Sequence, residues 1–159
     1  MFVEVKVGAL IMDPNSNTPI VVLKGVDGEA ILPIWVGAYE ANAIALEIEK
    51  IVSPRPMTHD LLKNAIEALD AAVIGVFIHD LADQTFYALI QLDRNDIELD
   101  SRPSDAIAIA LRFNAPIYIA ENLLDEAGFS PEELEGVVES QESSEKEIEV
   151  EKSTPRTRR

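Results

Sequence analysis

Ala43-Ile44-Ala45-Leu46 recurs as Ala108-Ile109-Ala110-Leu111, an offset of 65 residues. The same offset pairs Glu40 with Asp105, and Ile31-Leu32-Pro33 with Asp96-Ile97-Glu98. Four matching Ala, Ile and Leu residues carry little weight alone, because such residues are common in helices. What precedes each copy carries more. Ala41, Ile44, Ala45, Ile48 and Ile51 recur at helical spacing over Gly37 to Ile51, and three strand patterns come before them. Pro103 suits the first turn of a second such helix, running to about Phe113, and three strand patterns precede it too. The reading is a duplicated β-β-β-α unit over 2–51 and 72–113, with an extra helix between the copies. Hairpins and helices in that mixture make an α+β single domain, not a doubly wound parallel sheet.

The strand patterns are local. Phe2 to Met12 alternates, Asp13-Pro14-Asn15-Ser16-Asn17 is a turn cluster, and Pro19 to Lys24 is a second strand. Asp27-Gly28 signals a tight hairpin with Glu29 to Trp35 as its return. Ser53-Pro54-Arg55-Pro56 is expected to end the first helix. Thr58 is the expected N-cap of the extra helix, which carries Leu61, Leu62, Ala65, Ile66 and Leu69. Ala71 to Ile78, Thr85 to Leu92 and Asp96 to Asp100 read as strands, with a turn over Leu81 to Gln84. Pro116 to Ala120 is a last strand and Glu121 to Ala127 a short helix. The domain is expected over residues 1–135. Residues 136–159 form an acidic and polar tail, almost free of apolar residues from about Ser140, and are expected to be disordered.

Composition limits the function classes. The chain has no cysteine, so disulfides and cysteine-ligated zinc are excluded. Its N-terminus alternates and carries charge, unlike a signal peptide, and no apolar run suits a membrane span. The cytoplasm is the expected location. Net charge is −16, of which residues 1–135 hold −15. That balance opposes tight non-specific binding to nucleic acid, which rests on lysine and arginine. A lone Trp35 in an apolar run, with helices rich in Ile and Ala, predicts a core or subunit contact and a symmetric homodimer or a multiple of it.

Two segments gather the chemistry: Arg55-Pro56-Met57-Thr58-His59-Asp60 and Ser101-Arg102-Pro103-Ser104-Asp105-Ala106. Each opens a helical pattern with an arginine, a hydroxyl and an aspartate. Carboxylates with one histidine suit Mg²⁺ or Mn²⁺, which prefer oxygen ligands. Glu40 and Asp105, at equivalent helix starts, are the candidate ligands. His59, Asp60, Asp105 and Glu40 form the candidate catalytic set. Arg55 and Arg102 suit phosphate through paired hydrogen bonds, with Thr58 and Ser104 beside them as the substrate-binding set. The plainer alternative is structural. An acid in a first helical turn is favoured by the helix dipole, Arg55 and Arg102 can pair with Asp60 and Asp105, and Ser101 and Ser104 read as caps. His79 and Tyr87 lie in strands, where packing is the first explanation, though the Tyr87 hydroxyl could reach substrate.

Five blocks in fixed order resemble the bifunctional nuclease family: Leu32-Pro33-Ile34-Trp35-Val36-Gly37 with Glu40-Ala41, then Arg55 to Leu62, Thr85-Phe86-Tyr87-Ala88, Asp100 to Ala106, and Ala115-Pro116-Ile117-Tyr118. The match spans roughly residues 2–125. Gln84 stands where the family usually has glycine. The resemblance implies a nuclease acting on DNA and RNA phosphodiester bonds, with nucleic acid as substrate and a divalent ion as possible helper. The rival reading is a non-catalytic binding or regulatory domain, using the arginine–aspartate cleft for a small anion or a protein partner. Net charge favours the rival.

Overall fold

The fold, taken from a computed structural model, is described over residues 1–133 apart from 29, 95 and 131. In chain order its elements are β1 (Phe2–Asp13), β2 (Thr18–Gly25), β3 (Ile31–Trp35), α1 (Ala38–Ile48), α2 (Thr58–Ala68), β4 (Val73–Ala82), β5 (Thr85–Leu92), β6 (Glu98–Ser101), α3 (Pro103–Phe113), β7 (Ile117–Ala120) and α4 (Glu121–Ala127). The strands form one sheet in the order β3-β2-β1-β7-β4-β5-β6. Each outer trio is an antiparallel meander. β7 lies between them, antiparallel to β1 and parallel to β4. The fold is therefore α+β, as expected.

Both meanders lead into a helix, and α2 stands between the units, as the offset of 65 predicts. α1 and α3 even cover equivalent residues at that offset, Ala38–Ile48 and Pro103–Phe113. The strands drift from it. The residue 65 beyond Ile31 is Asp96, whereas β6 begins at Glu98. Duplication remains an inference from the offset, supported by element order.

One sheet face is covered by helices. Val5, Val21, Leu23, Leu32 and Ile34 from the first meander meet Ile44 of α1, and Val76, Ile78, Ile117 and Ile119 meet Ile107 and Ile109 of α3 in one buried cluster. Side chains alternate across a strand. Phe77 and Tyr118 therefore point to the opposite face, where their rings stack 5.0 Å apart and Phe2 meets Phe77 edge-on at 5.2 Å. Phe129 pairs with Ile31 through two backbone hydrogen bonds, which covers the outer edge of β3 at its first residue. No helix among the described residues is long and apolar enough to cross a membrane.

Several local expectations are corrected. α1 ends at Ile48, not at the Ser53-Pro54 segment, because Lys50 adopts φ 56° and turns the chain left-handed. Ile51 is consequently exposed. β4 continues to Ala82, because irregularities near Gly75 and His79 keep it paired with β5, so the turn shrinks to Asp83 and Gln84. Trp35 is not a core residue. It is 54% exposed, and its Nε1 donates to Asp13 Oδ2 at 3.0 Å. The expected tail, 136–159, lies outside the described residues.

Candidate active site

Each of the three long helices carries an acid three residues after its N-cap. The pairs are Gly37 with Glu40, Met57 with Asp60, and Arg102 with Asp105. No N-cap side chain satisfies the free N–H groups of these first turns. Thr58 is the first helical residue rather than the cap, Ser104 is buried inside the first turn of α3, and Ser101 Oγ donates to the Arg102 carbonyl. The capping expectation for these hydroxyls is thus replaced by acids in the first turn, which the helix dipole favours.

Packing of α1 against α3 brings Glu40 and Asp105 to either side of Arg102. Arg102 Nη2 donates to Glu40 Oε1 at 2.7 Å, and its Nε donates to Asp105 Oδ2 at 2.8 Å. Glu40 folds back toward Gly37, so closely that a Cβ there would collide with its Oε2. It is that approach, not the backbone (φ −70°, ψ 155°, which suits any residue), that favours glycine at 37: an added Cβ would push the carboxylate tip aside. α2 then delivers His59, whose Nε2 lies 2.9 Å from Asp105 Oδ1.

The charges follow from this geometry. Its own backbone N–H, and then Arg102, hold the Glu40 carboxyl below the usual range. Burial pushes Asp105 up, but the hydrogen bonds from His59 and Arg102 outweigh it and hold the carboxyl low. Asp105 and then Glu40 raise Arg102. An ionised Asp105 only accepts hydrogen bonds, so His59 Nε2 carries the hydrogen. In the neutral ring, Nδ1 then offers a lone pair. This is the arrangement by which a carboxylate orients a general base.

Asp60 turns elsewhere. Its Oδ1 accepts from Arg112 Nε at 2.7 Å, and Arg112 holds the carboxyl below the ordinary range against the opposing effect of burial. A cleft of about 800 Å³ opens beside the network. Among its walls are Tyr39 and Glu40 of α1, Thr58 and His59 of α2, Tyr87 of β5, and Arg102 and Asp105. Glu40, Thr58, His59, Arg102 and Asp105 thus come together. Asp60, Ser104 and the exposed Arg55 do not line that cleft. Sequence reasoning missed Arg112 and Tyr39. The first has a readable signal: a lone cation seven residues after Asp105, in an otherwise apolar helix.

A divalent ion fits this arrangement poorly. The two candidate ligands, Glu40 and Asp105, already share one guanidinium. Among the described residues no three His, Cys, Asp or Glu side chains are grouped to hold a metal.

Comparison with known proteins agrees with the sequence resemblance. The model of the bifunctional nuclease domain matches residues 21–132. An uncharacterized protein of Mycobacterium tuberculosis is 46% identical over 125 residues, covering 79% of this chain and 76% of that protein. Bifunctional nuclease 1 of Oryza sativa subsp. indica is 32% identical over 105 residues, covering 62% of this chain but 32% of the rice protein. Bifunctional nuclease 2 of Oryza sativa subsp. japonica is 30% identical over 115 residues, covering 69% and 35%. The match contains every residue of the Glu40–Arg102–Asp105–His59 network, and the chain belongs to the bifunctional nuclease domain family.

Proposed function

We propose that the protein hydrolyses phosphodiester bonds of DNA and RNA, with His59 as general base and Arg102 as the phosphate-binding cation. The observation that carries this reading is the His59–Asp105 pair beside Arg102 on the wall of an open cleft. His59 takes a proton from water, the water oxygen attacks phosphorus, and the opposite P–O ester bond breaks. The leaving oxygen recovers a proton from solvent. Asp105 fixes the ring and stabilises the imidazolium that forms, as in other carboxylate–histidine pairs. The names of the rice relatives support the reaction class. The proposed reaction uses neither Mg²⁺ nor Mn²⁺: Arg102 already occupies the two carboxylates an ion would need.

The test is a cleavage assay on single- and double-stranded DNA and RNA, with and without each ion. Asp105→Asn should lower turnover by roughly a hundredfold or more while the circular dichroism spectrum is kept. Absence of any cleavage that survives stringent purification, with either ion present, would end this reading. A non-catalytic module for a small anion or protein partner would then replace it. The net charge of −16 and the prior engagement of Arg102 by two carboxylates favour that second reading.

A symmetric homodimer belongs to the same proposal. Its support is the exposed apolar surface around α2: Val52 is 91%, Leu61 61% and Leu69 76% exposed. A monomer by sedimentation at micromolar concentration would contradict it.

A further inference from the structure

Arg112 sits in the last turn of α3, with its side chain 3% exposed. A guanidinium taken out of water is costly unless its donors are met. Each nitrogen of Arg112 has a partner: Asp60 Oδ1 for Nε at 2.7 Å, the Ala108 carbonyl for Nη1 at 2.9 Å, and the Ala43 carbonyl for Nη2 at 3.1 Å. One side chain thereby touches α1, α2 and α3. The second oxygen of Asp60 accepts the Met57 N–H at 3.0 Å, so the carboxylate joins Arg112 to the N-cap of α2. His59 lies inside that turn.

Beyond this, α2 rests on α3 through Lys63, whose Nζ lies 5.7 Å from the centre of the Phe113 ring, and on little buried apolar surface. Ile66 is its one buried residue, whereas Leu61 and Leu62 are exposed. Its first turn is instead tied to α3 at two points by adjacent residues. His59 reaches Asp105 near the start of α3, and Asp60 reaches Arg112 near its end, roughly 10 Å further along the axis. A helix fixed at two separated points can neither slide nor rotate against its neighbour. With one point removed the first turn can shift about the other, while Ile66 and Lys63 still hold the body of the helix.

We infer that Arg112 is a positioning residue for His59: through Asp60 it fixes the first turn of α2 so that Nε2 stays on Asp105. This rests on the reading of His59 as the general base, but it concerns the placement of the ring, which is measurable without turnover.

The probe is the imidazole of His59 in the ¹⁵N-labelled full chain. His59 and His79 are the only histidines, so a His79→Gln sample assigns the signals. Arg112→Lys keeps the charge and loses the fork that reaches Asp60 and Ala43 together. Asp60→Asn is the milder variant, since it keeps an acceptor oxygen and the shape of the side chain. Wild type should show the Nε2–H tautomer with a slowly exchanging ring proton. In both variants that proton should exchange about tenfold faster, the factor that one lost hydrogen bond gives. The ring should also populate the second tautomer, while the α3 amides keep their protection. If the wild type cleaves nucleic acid, kcat should fall with KM held.

An unchanged imidazole signal in either folded variant would overturn the inference. So would ring exchange that rises only in step with the α3 amides, since Arg112 would then merely hold the fold. A wild type that cleaves nothing, yet loses the ring signature in both variants, would end the nuclease reading and leave the positioning role standing.

Discussion

Asp60→Ala should destabilise the protein more than Arg112→Met, although both break one ion pair. The reason is the unequal burial of the partners: Arg112 is 3% exposed and Asp60 35%. Alanine at 60 leaves a buried guanidinium without its anion, and breaking a buried pair on that side costs about 3–5 kcal/mol. Methionine at 112 follows the arginine stem and leaves a carboxylate that water can reach. The Ala43 and Ala108 carbonyls lie within helices and keep their helical donors. The cost then falls to about 1–2 kcal/mol. Urea unfolding followed by circular dichroism at pH 7 should resolve the gap of about 2 kcal/mol, equivalent to roughly 4–8 °C in Tm. Acid adds a second check. The Asp60 carboxyl is held below its ordinary value of 3.8 by Arg112, so its stabilisation is complete above that pH and is lost as pH falls through the lowered value. The advantage of wild type over Arg112→Met should therefore narrow only below about pH 4. An Arg112→Met cost equal to that of Asp60→Ala, or an advantage that persists undiminished in strong acid, would refute the reasoning.

Gly37→Ala should act on Glu40 rather than on the backbone: its Cβ meets the Glu40 carboxylate tip, which must swing away from Arg102. Catalytic effects matching those of Glu40→Gln, with Tm nearly unchanged, would confirm this. Gln84→Gly should stabilise the β4–β5 turn by about 1 kcal/mol, because Gln84 sits at φ 61°, where glycine carries no steric cost. A lower urea midpoint would contradict it. If Arg102 makes the main phosphate contact, raising salt from about 50 to 200 mM should weaken substrate binding only about three- to fourfold, where six to ten contacts would give about a thousandfold or more. Fluorescence titration with labelled DNA measures the slope.

The fold was readable where elements announce themselves locally. Alternation gave the strands, Pro103 set the start of α3 at the observed residue, and the offset of 65 placed α1 and α3 in register. Boundaries set by conformation were less readable. The left-handed turn at Lys50 stops α1 two prolines early, and no residue preference of lysine announces it. The insertion of β7 between β1 and β4 was also hidden, because pairing partners far apart in sequence leave no local mark. Of the site, Glu40, His59, Arg102 and Asp105 were legible as acids, base and cation at helix starts. The partition of Asp60 away from them was not. It depends on Arg112, placed by the pitch of α3 and visible only once three helices are packed.

Charge is the remaining problem for the proposal that this site handles a polyanion. Arg102 is flanked by Glu40 and Asp105, so these three groups sum to one negative charge before any phosphate arrives. Residues 1–135 as a whole, these three included, carry the same sign, net −15. A phosphate entering here becomes a third anion around one guanidinium, and long-range attraction cannot be what recruits it. Salt screens that repulsion as well as the contact, which works in the same direction as the shallow slope expected from a single phosphate contact. Such a site gains little rate from affinity and must gain it from placement. The structure is built accordingly. His59, the proposed base, is gripped by Asp105, the turn that carries it is held by Asp60 on Arg112, and Arg102 is aimed by two carboxylates rather than left to sample solvent. Each ordering contact is set in the folded chain before substrate arrives, which is the condition under which charged groups contribute most to a transition state.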